Sequence, residues 1–240
     1  MPARSQPAAN DDVRQHLALL LRGRWFAAIS APLREALLDA AALRSLPAGA
    51  RLFGRGEPAD GLYAVLRGAL LISGVSEAGR QSSLLVLEPP SWFGEIALFD
   101  GGPRTHDAQA LQDALLLHVP SSRLDALLAA RPQYWRELGL LLADKLRRAL
   151  LAFEDQALLG AGPRLARRLL MLAEGFETRP GGPCQRIALS QEQLAMMVAV
   201  SRQTANQLLK ALAARGIVSL QRGGIEILDP AGLRAAAALD

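Results

Sequence analysis

Apolar residues change their rhythm twice along the chain. From about Val13 to Leu43 they recur at gaps of three and four, and two short amphipathic helices are predicted there. From Leu46 to Pro120 they fall into short runs (62–66, 69–72 and 84–87) split by Gly, Pro and Ser. Such strands and turns predict a small β-barrel or roll. Helical spacing returns at Ser121, where a Leu/Ala-rich segment to Ala130 is expected to cover the roll. After Pro132, a residue suited to a first helical turn, one long helix is predicted to about Leu159. Trp135, Leu138, Leu142, Leu146, Ala149 and Phe153 form one stripe along it, like a coiled-coil seam. The pattern alone fits a helix packed on its own domain equally well. The helix is longer than a small roll needs as cover, which favours a dimer interface.

Gly160, Ala161, Gly162 and Pro163 break the pattern, and the domain boundary is placed there. A helical run from Arg164 to Glu174 and a Gly/Pro-rich loop at 179–183 follow. Ser190 with Gln193 three residues on forms a capping box, and Ser201 caps a second helix running to Ala213. Two helices crossing over a tiny shared core need apolar residues at set places. Leu194, Val198, Val200, Ala205 and Leu208 fill those places, and Ala195 is the small residue at the crossing. Arg202, Gln203, Asn206 and Gln207 lie on the opposite face, with groups suited to base edges and phosphates. Gly216 ends the helix. Strands at 217–220 and 225–228 flank Arg222, Gly223 and Gly224, a hairpin with a basic tip that reads as a wing. An ordinary helical pair with a solvated polar face is the alternative. Caps, small residue, polar face and wing together outweigh it.

Composition narrows the classes. A chain of 240 residues holds one large domain or two modest ones. Half of it is apolar, and the net charge of +4 permits a nucleic-acid partner without demanding one. Cys184 is the single cysteine, which excludes an internal disulfide framework and a cysteine-ligated cluster or zinc site, and points to a reducing cytoplasm. No apolar run reaches the roughly 18 residues of a membrane span, so no membrane partner is expected. The three histidines, His16, His106 and His118, are scattered, so no metal site is predicted. No nucleophile–base pair is evident, so an enzyme is not expected.

A second motif is Phe93-Gly94-Glu95-Ile96-Ala97-Leu98-Phe99, followed by Pro103-Arg104-Thr105. A cyclic phosphate needs backbone amides, a fixed guanidinium and a hydroxyl. Gly94 allows close backbone approach, Arg104 supplies the cation, Thr105 the hydroxyl, and Glu95 an acceptor for a ribose hydroxyl. This run resembles the phosphate-binding cassette of cyclic-nucleotide-binding domains. The runs 189–195 and 200–206 closely resemble the Crp/Fnr regulators, and the likeness extends from about Leu21 to Leu228.

The resemblance implies that Arg202, Gln203 and Gln207 face the major groove. Where the family's turn usually carries Gly, this chain has Ala199, at about 1 kcal/mol if that residue is left-handed. The cyclic-AMP receptor protein has Glu and Arg where Gln203 and Gln207 stand, so its operator is not implied. Two adjacent hydroxyl residues contact adenine in that protein. Ala149 and Leu150 match them and have no side-chain donor or acceptor. Three outcomes stay open: a ligand other than cyclic AMP, cyclic AMP bound weakly, or none.

The expectation is an α+β chain. A disordered lead-in (1–14) precedes a cyclic-nucleotide-binding-like β-roll sensor (15–131), a dimerisation helix (132–160) and a winged helix-turn-helix (163–240). Expected effector contacts are Gly94, Glu95, Ile96, Arg104, Thr105, Ala149 and Leu150. Expected DNA contacts are Ser190, Ser201, Arg202, Gln203, Asn206, Gln207 and Arg222. The expected protein is a bacterial, cytoplasmic homodimer that binds double-stranded DNA and RNA polymerase and is gated by a cyclic nucleotide or other small effector. The rivals are a ligand-independent DNA-binding factor of the same fold, and a cyclic-nucleotide module acting through protein contacts.

Overall fold

A computed structural model of the chain describes residues 12–75, 81–173, 186–187, 189–221 and 224–238. Cys184, Arg222, the 179–183 loop and most of the predicted lead-in lie outside them. The N-terminal helical region forms α1 (Leu17–Leu20), α2 (Arg24–Ala28) and α3 (Ala31–Ala40). The third helix starts afresh because Ser30 caps it, accepting from the Leu33 N–H, with Pro32 in its first turn.

Two four-stranded sheets follow. One has the order β1 (Ala42–Leu46), β8 (Ala114–Pro120), β3 (Gly61–Arg67), β6 (Trp92–Phe93). The other runs β2 (Arg51–Phe53), β7 (Asp107–Ala110), β4 (Leu70–Val75), β5 (Gln81–Leu87). β3 is buried at every position from Gly61 to Leu66, as suits a central strand covered on both faces. Its antiparallel partner β8 runs in register from Gly61↔Pro120 to Val65↔Leu116. Trp92 stacks on Phe26 at 5.2 Å and meets Trp25 edge-on at 5.2 Å, which joins the N-terminal helices to the roll. α4 (Ile96–Asp100) carries the cassette, and α5 (Ser121–Ala130) covers the roll with Leu124 and Leu128.

The long helix, α6 (Tyr134–Leu158), has two apolar faces, and the predicted stripe mixed them. Tyr134, Leu138 and Leu141 belong to the hydrophobic core, and Leu138 is 0% exposed. Leu138 is therefore unavailable to a second chain, which corrects its assignment to a dimer seam. Leu142 is half-buried, while Trp135, Leu146, Ala149 and Phe153 are exposed. The more open face runs through Trp135, the half-buried Gly139, and the exposed Ala143, Leu146, Leu150 and Phe153, at gaps of four, four, three, four and three. Phe153 is 73% exposed.

The expected break at 160–163 is shorter than the sequence suggested, since α7 (Ala161–Ala173) begins at Ala161. Pro163 sits in its first turn, where a missing N–H removes no helical bond. Beyond it lie β9 (Arg186–Ile187), α8 (Gln191–Met197), α9 (Arg202–Ala214), β10 (Val218–Gln221), β11 (Gly224–Ile227) and α10 (Pro230–Ala236). The three strands form a sheet of order β10-β11-β9. Asp229 caps α10, accepting from the Gly232 N–H. Contacts divide the chain into two compact units, Met1–Leu71 with Leu87–Lys145, and Ile72–Val86 with Leu146–Asp240, and α6 contributes to both.

Candidate nucleic-acid interface and effector cassette

In the second unit, the Ser190 hydroxyl accepts from the Gln193 N–H at 3.1 Å, and the Ser190 N–H donates to Gln193 Oε1 at 2.9 Å. The box closes the N-terminus of α8. Its other end turns through Ala199, whose φ of 52° is left-handed. Val200 then donates its N–H to the Ala195 carbonyl at 3.1 Å, and Ser201 Oγ accepts from the Thr204 N–H at 3.0 Å. Leu194, Ala195 and Val198 of this first helix and turn are buried, with Ala205, Leu209 and Leu212 of α9. The predicted Val200 and Leu208 are only half-buried. Leu209 takes the central place because 205, 209 and 212 fall on one face at helical spacing. Leu208 instead faces Gly162, where an added Cβ would meet it at 3.7 Å.

On the far side of α9, Arg202, Gln203 and Gln207 are exposed. Asn206 departs from the expectation: it is half-buried, and its Oδ1 is shielded from solvent without a hydrogen-bond partner. Lys210, one turn beyond Gln207 and also exposed, continues the polar face and was missed. Its signal was present in the spacing 203, 207, 210. Ser190 and Ser201 sit exposed at the two helix starts. The β10–β11 hairpin pairs Gln221 with Gly224, and Arg222, the expected basic contact, lies outside the described residues. β9 adds a third strand beside β11, with Ile187 opposite Ile225.

In the first unit, Arg104 is not the surface group its charge suggests. Its side chain is 4% exposed, and Nη2 donates to Asp60 Oδ1 at 2.7 Å and to the Gly61 carbonyl at 2.9 Å. Nη1 reaches the Gly94 carbonyl at 3.3 Å, and the guanidinium lies 4.3 Å from the centre of the Phe53 ring. Its Nε is buried without a partner. Gly94 has a φ of 98°, and a Cβ there would come within 2.8 Å of Arg104 Nη1 and 2.9 Å of the Gly61 carbonyl. The glycine is thus required by the cassette's own packing. Burial pushes the Asp60 carboxyl up, but hydrogen bonds from Tyr63 and Arg104 outweigh it and hold the group below its ordinary value. Tyr63 is raised, by burial and then by Asp60. His118, stacked on Tyr63 at 4.4 Å, is lowered chiefly by burial.

Glu95 is also committed internally. It is 3% exposed and accepts from Lys145 Nζ at 2.8 Å, and the same ammonium donates to the Trp92 carbonyl at 2.6 Å. Thr105 is exposed, with Oγ1 3.0 Å from His106 Nδ1, and Ile96 is exposed on α4. Ala149 and Leu150 are exposed in the second unit. The sequence reading missed Asp60 and Lys145. Lys145 had a signal: it stands four residues after Leu141, in phase with the buried face of α6. A cavity of about 510 Å³ adjoins the cassette, lined by residues between Gly94 and Pro103, by the 56–61 loop, and by Ser121 and Asp125. Of the predicted effector contacts it touches Gly94 alone.

The family "Cyclic nucleotide-binding domain" matches residues 43–131, and "Crp-like helix-turn-helix domain" matches residues 163–236. The chain is 34% identical over 184 residues to the CRP-like cAMP-activated global transcriptional regulator of Mycobacterium tuberculosis, over 76% of this chain and 82% of that one. It is 33% identical over 194 residues to the Cyclic AMP receptor protein of Thermus thermophilus, over 78% and 84% of the two. Among solved structures, a transcriptional regulator of the CRP/FNR family, also from Thermus thermophilus, matches with a TM-score of 0.65 at 28% identity, over 81% of this chain and 97% of that one.

Proposed function

The chain belongs to the Crp/Fnr family of DNA-binding transcription regulators, and from that membership we propose that it works as a homodimer whose two α9 helices read successive major grooves of a two-fold site. The observation that carries this reading is the division of α9 into two faces. Ala205, Leu209 and Leu212 are buried, while Arg202, Gln203, Gln207 and Lys210 are open to a partner. Gln side chains pair bidentately with adenine, and Arg and Lys with guanine or phosphate. The open face of α6, from Trp135 to Phe153, supplies the apolar surface for the second copy. RNA polymerase is the further partner such a regulator acts on, and the bacterial cytoplasm is where it meets DNA. Replacing Gln203 and Gln207 by Ala abolishes selective binding in a gel-shift competition and leaves the dimer intact. Unchanged discrimination between duplexes overturns the assignment.

For the effector, the relatives named as cAMP-activated support a cyclic nucleotide as the ligand class. A second reading, a regulator that needs no ligand, is favoured by the internal ion pairs Arg104–Asp60 and Glu95–Lys145. The apolar pair Ala149 and Leu150 favours the same reading. Titration calorimetry with a panel of cyclic nucleotides separates the two: a selective, saturable signal supports gating, and its absence across the panel supports constitutive binding.

A further inference from the structure

We propose that Arg164 is a positioning residue that locks the turn of the helix-turn-helix to the end of the long helix. It thereby sets how far apart a dimer holds its two recognition helices. This rests on the dimeric DNA-reading function proposed above.

Only Leu159 and Gly160 separate α6 from α7. Gly160 is exposed, and a Cβ there would meet nothing within 4 Å, while Leu159 beside it is buried and Arg167 of α7 pairs with Asp155 of α6, so the joint is held by its neighbours and not by the glycine. Arg164, in the first turn of α7, bridges it from one side. Nη1 donates to the Leu159 carbonyl at 3.1 Å and approaches the Gln156 carbonyl at 3.5 Å, both at the end of α6. Nε donates to the Val198 carbonyl at 3.0 Å, at the end of α8. The last carbonyls of a helix have no partner within it and carry partial negative charge. One guanidinium therefore caps two helix ends at once. Its donors diverge in a fixed plane, whereas a lysine is a single point charge on a flexible stem.

The lever is short. Val198 is followed by the left-handed Ala199, and two residues later Ser201 opens α9. Arg168, one turn along α7, donates to the Met197 carbonyl at 3.3 Å and steadies the same turn. The reading face of α9 does not depend on Arg164, because its cap and its buried face, Ala205, Leu209 and Leu212, are made elsewhere. The Arg167–Asp155 pair holds α7 to α6 but does not reach the turn, so loss of Arg164 leaves each reading head whole and loosens its angle to the long helix. A two-fold site demands heads about 34–36 Å apart. A half-site makes no such demand.

The test compares the wild-type full chain with Arg164→Lys and Arg164→Met by fluorescence anisotropy. The probes are a duplex selected by the wild type from a random pool, its isolated half-site, and versions with the half-sites moved apart or together by a base pair. Both variants lose about ten-fold or more in affinity for the full site, keep half-site affinity within about two-fold, and lose the wild-type preference for one spacing. Arg164→Lys keeps the charge, so it retains the fold even if the Met variant does not. The inference is overturned if Arg164→Lys binds the full site with wild-type affinity and spacing preference, or if full-site and half-site affinities fall in parallel. A wild type that selects no two-fold site overturns the dimeric reading itself, and the inference with it.

Discussion

Asp60 accepts at 2.7 Å from the guanidinium of Arg104, and the two residues differ sharply in exposure: the arginine is buried and the aspartate is 48% exposed. A cation inside the roll is thus neutralised by a carboxylate at its rim. Removing that carboxylate strands a buried charge, which is more damaging than losing an exposed pair. Asp60→Asn should lower stability by about 1–3 kcal/mol, the larger values for buried pairs being discounted because Asp60 reaches water. Urea denaturation at neutral pH measures it.

The acid side of the stability curve has a defined origin. Burial holds His118 below its ordinary 6.5, so the unfolded chain takes up the proton first. The stability it contributes is complete above pH 6.5 and is lost as pH falls from there through the folded value. His118→Phe keeps a ring against Tyr63 and removes the His118 share of this slope. Asp60, held below its ordinary 3.8, adds a second loss below that pH. Urea midpoints taken between about pH 8 and pH 5 should fall less steeply in the Phe variant than in the wild type, the slope that remains coming from His106, which burial also lowers.

Ala199 adopts a φ of 52°, a conformation that disfavours residues with a Cβ by about 1–2 kcal/mol. Glycine there loses part of that gain to the extra freedom of the unfolded chain. Ala199→Gly should still stabilise the protein by about 0.5–1 kcal/mol, read as a raised urea midpoint with unchanged slope.

Gly94→Ala places a methyl group 2.8 Å from Arg104 Nη1 in a left-handed backbone. The expected loss is about 1–3 kcal/mol, from overpacking and strain together. Calorimetric melting detects it without any ligand present.

Two substitutions on α6 should separate its faces. Phe153→Asp, on the exposed side, should turn a dimer into a monomer by sedimentation while the melting of each protomer changes little. Leu138→Ala, in the core, should cost about 2–5 kcal/mol of stability. Monomerisation by Leu138→Ala with no loss of stability would reverse the assignment of the faces.

Local signals made the reading head legible. Ser190, Gln193 and Ser201 act within four residues of themselves, and the structure places their caps where the sequence did. Long-range pairings were not legible: Asp60 meets Arg104 across 44 residues and Glu95 meets Lys145 across 50. A charge in a cassette reads as exposed until its distant partner, in a loop for Arg104 and on α6 for Glu95, is known. Adjacent apolar residues were ambiguous for a different reason. Leu208 and Leu209 fit the same window, and only the phase set by Ala205 and Leu212 picks the buried one. On α6 the same ambiguity spread over a whole helix, because apolar residues occupy two of its faces and gaps of three and four connect them both ways.

Hydroxyl-radical footprinting on a duplex selected by the full chain tests the central claim most directly. Two protected patches should appear, centred about 10–10.5 base pairs apart or a multiple of that on one face of the DNA, and should fade together as salt rises. A single patch, or protection that persists in Gln203→Ala/Gln207→Ala without change of sequence preference, would contradict it.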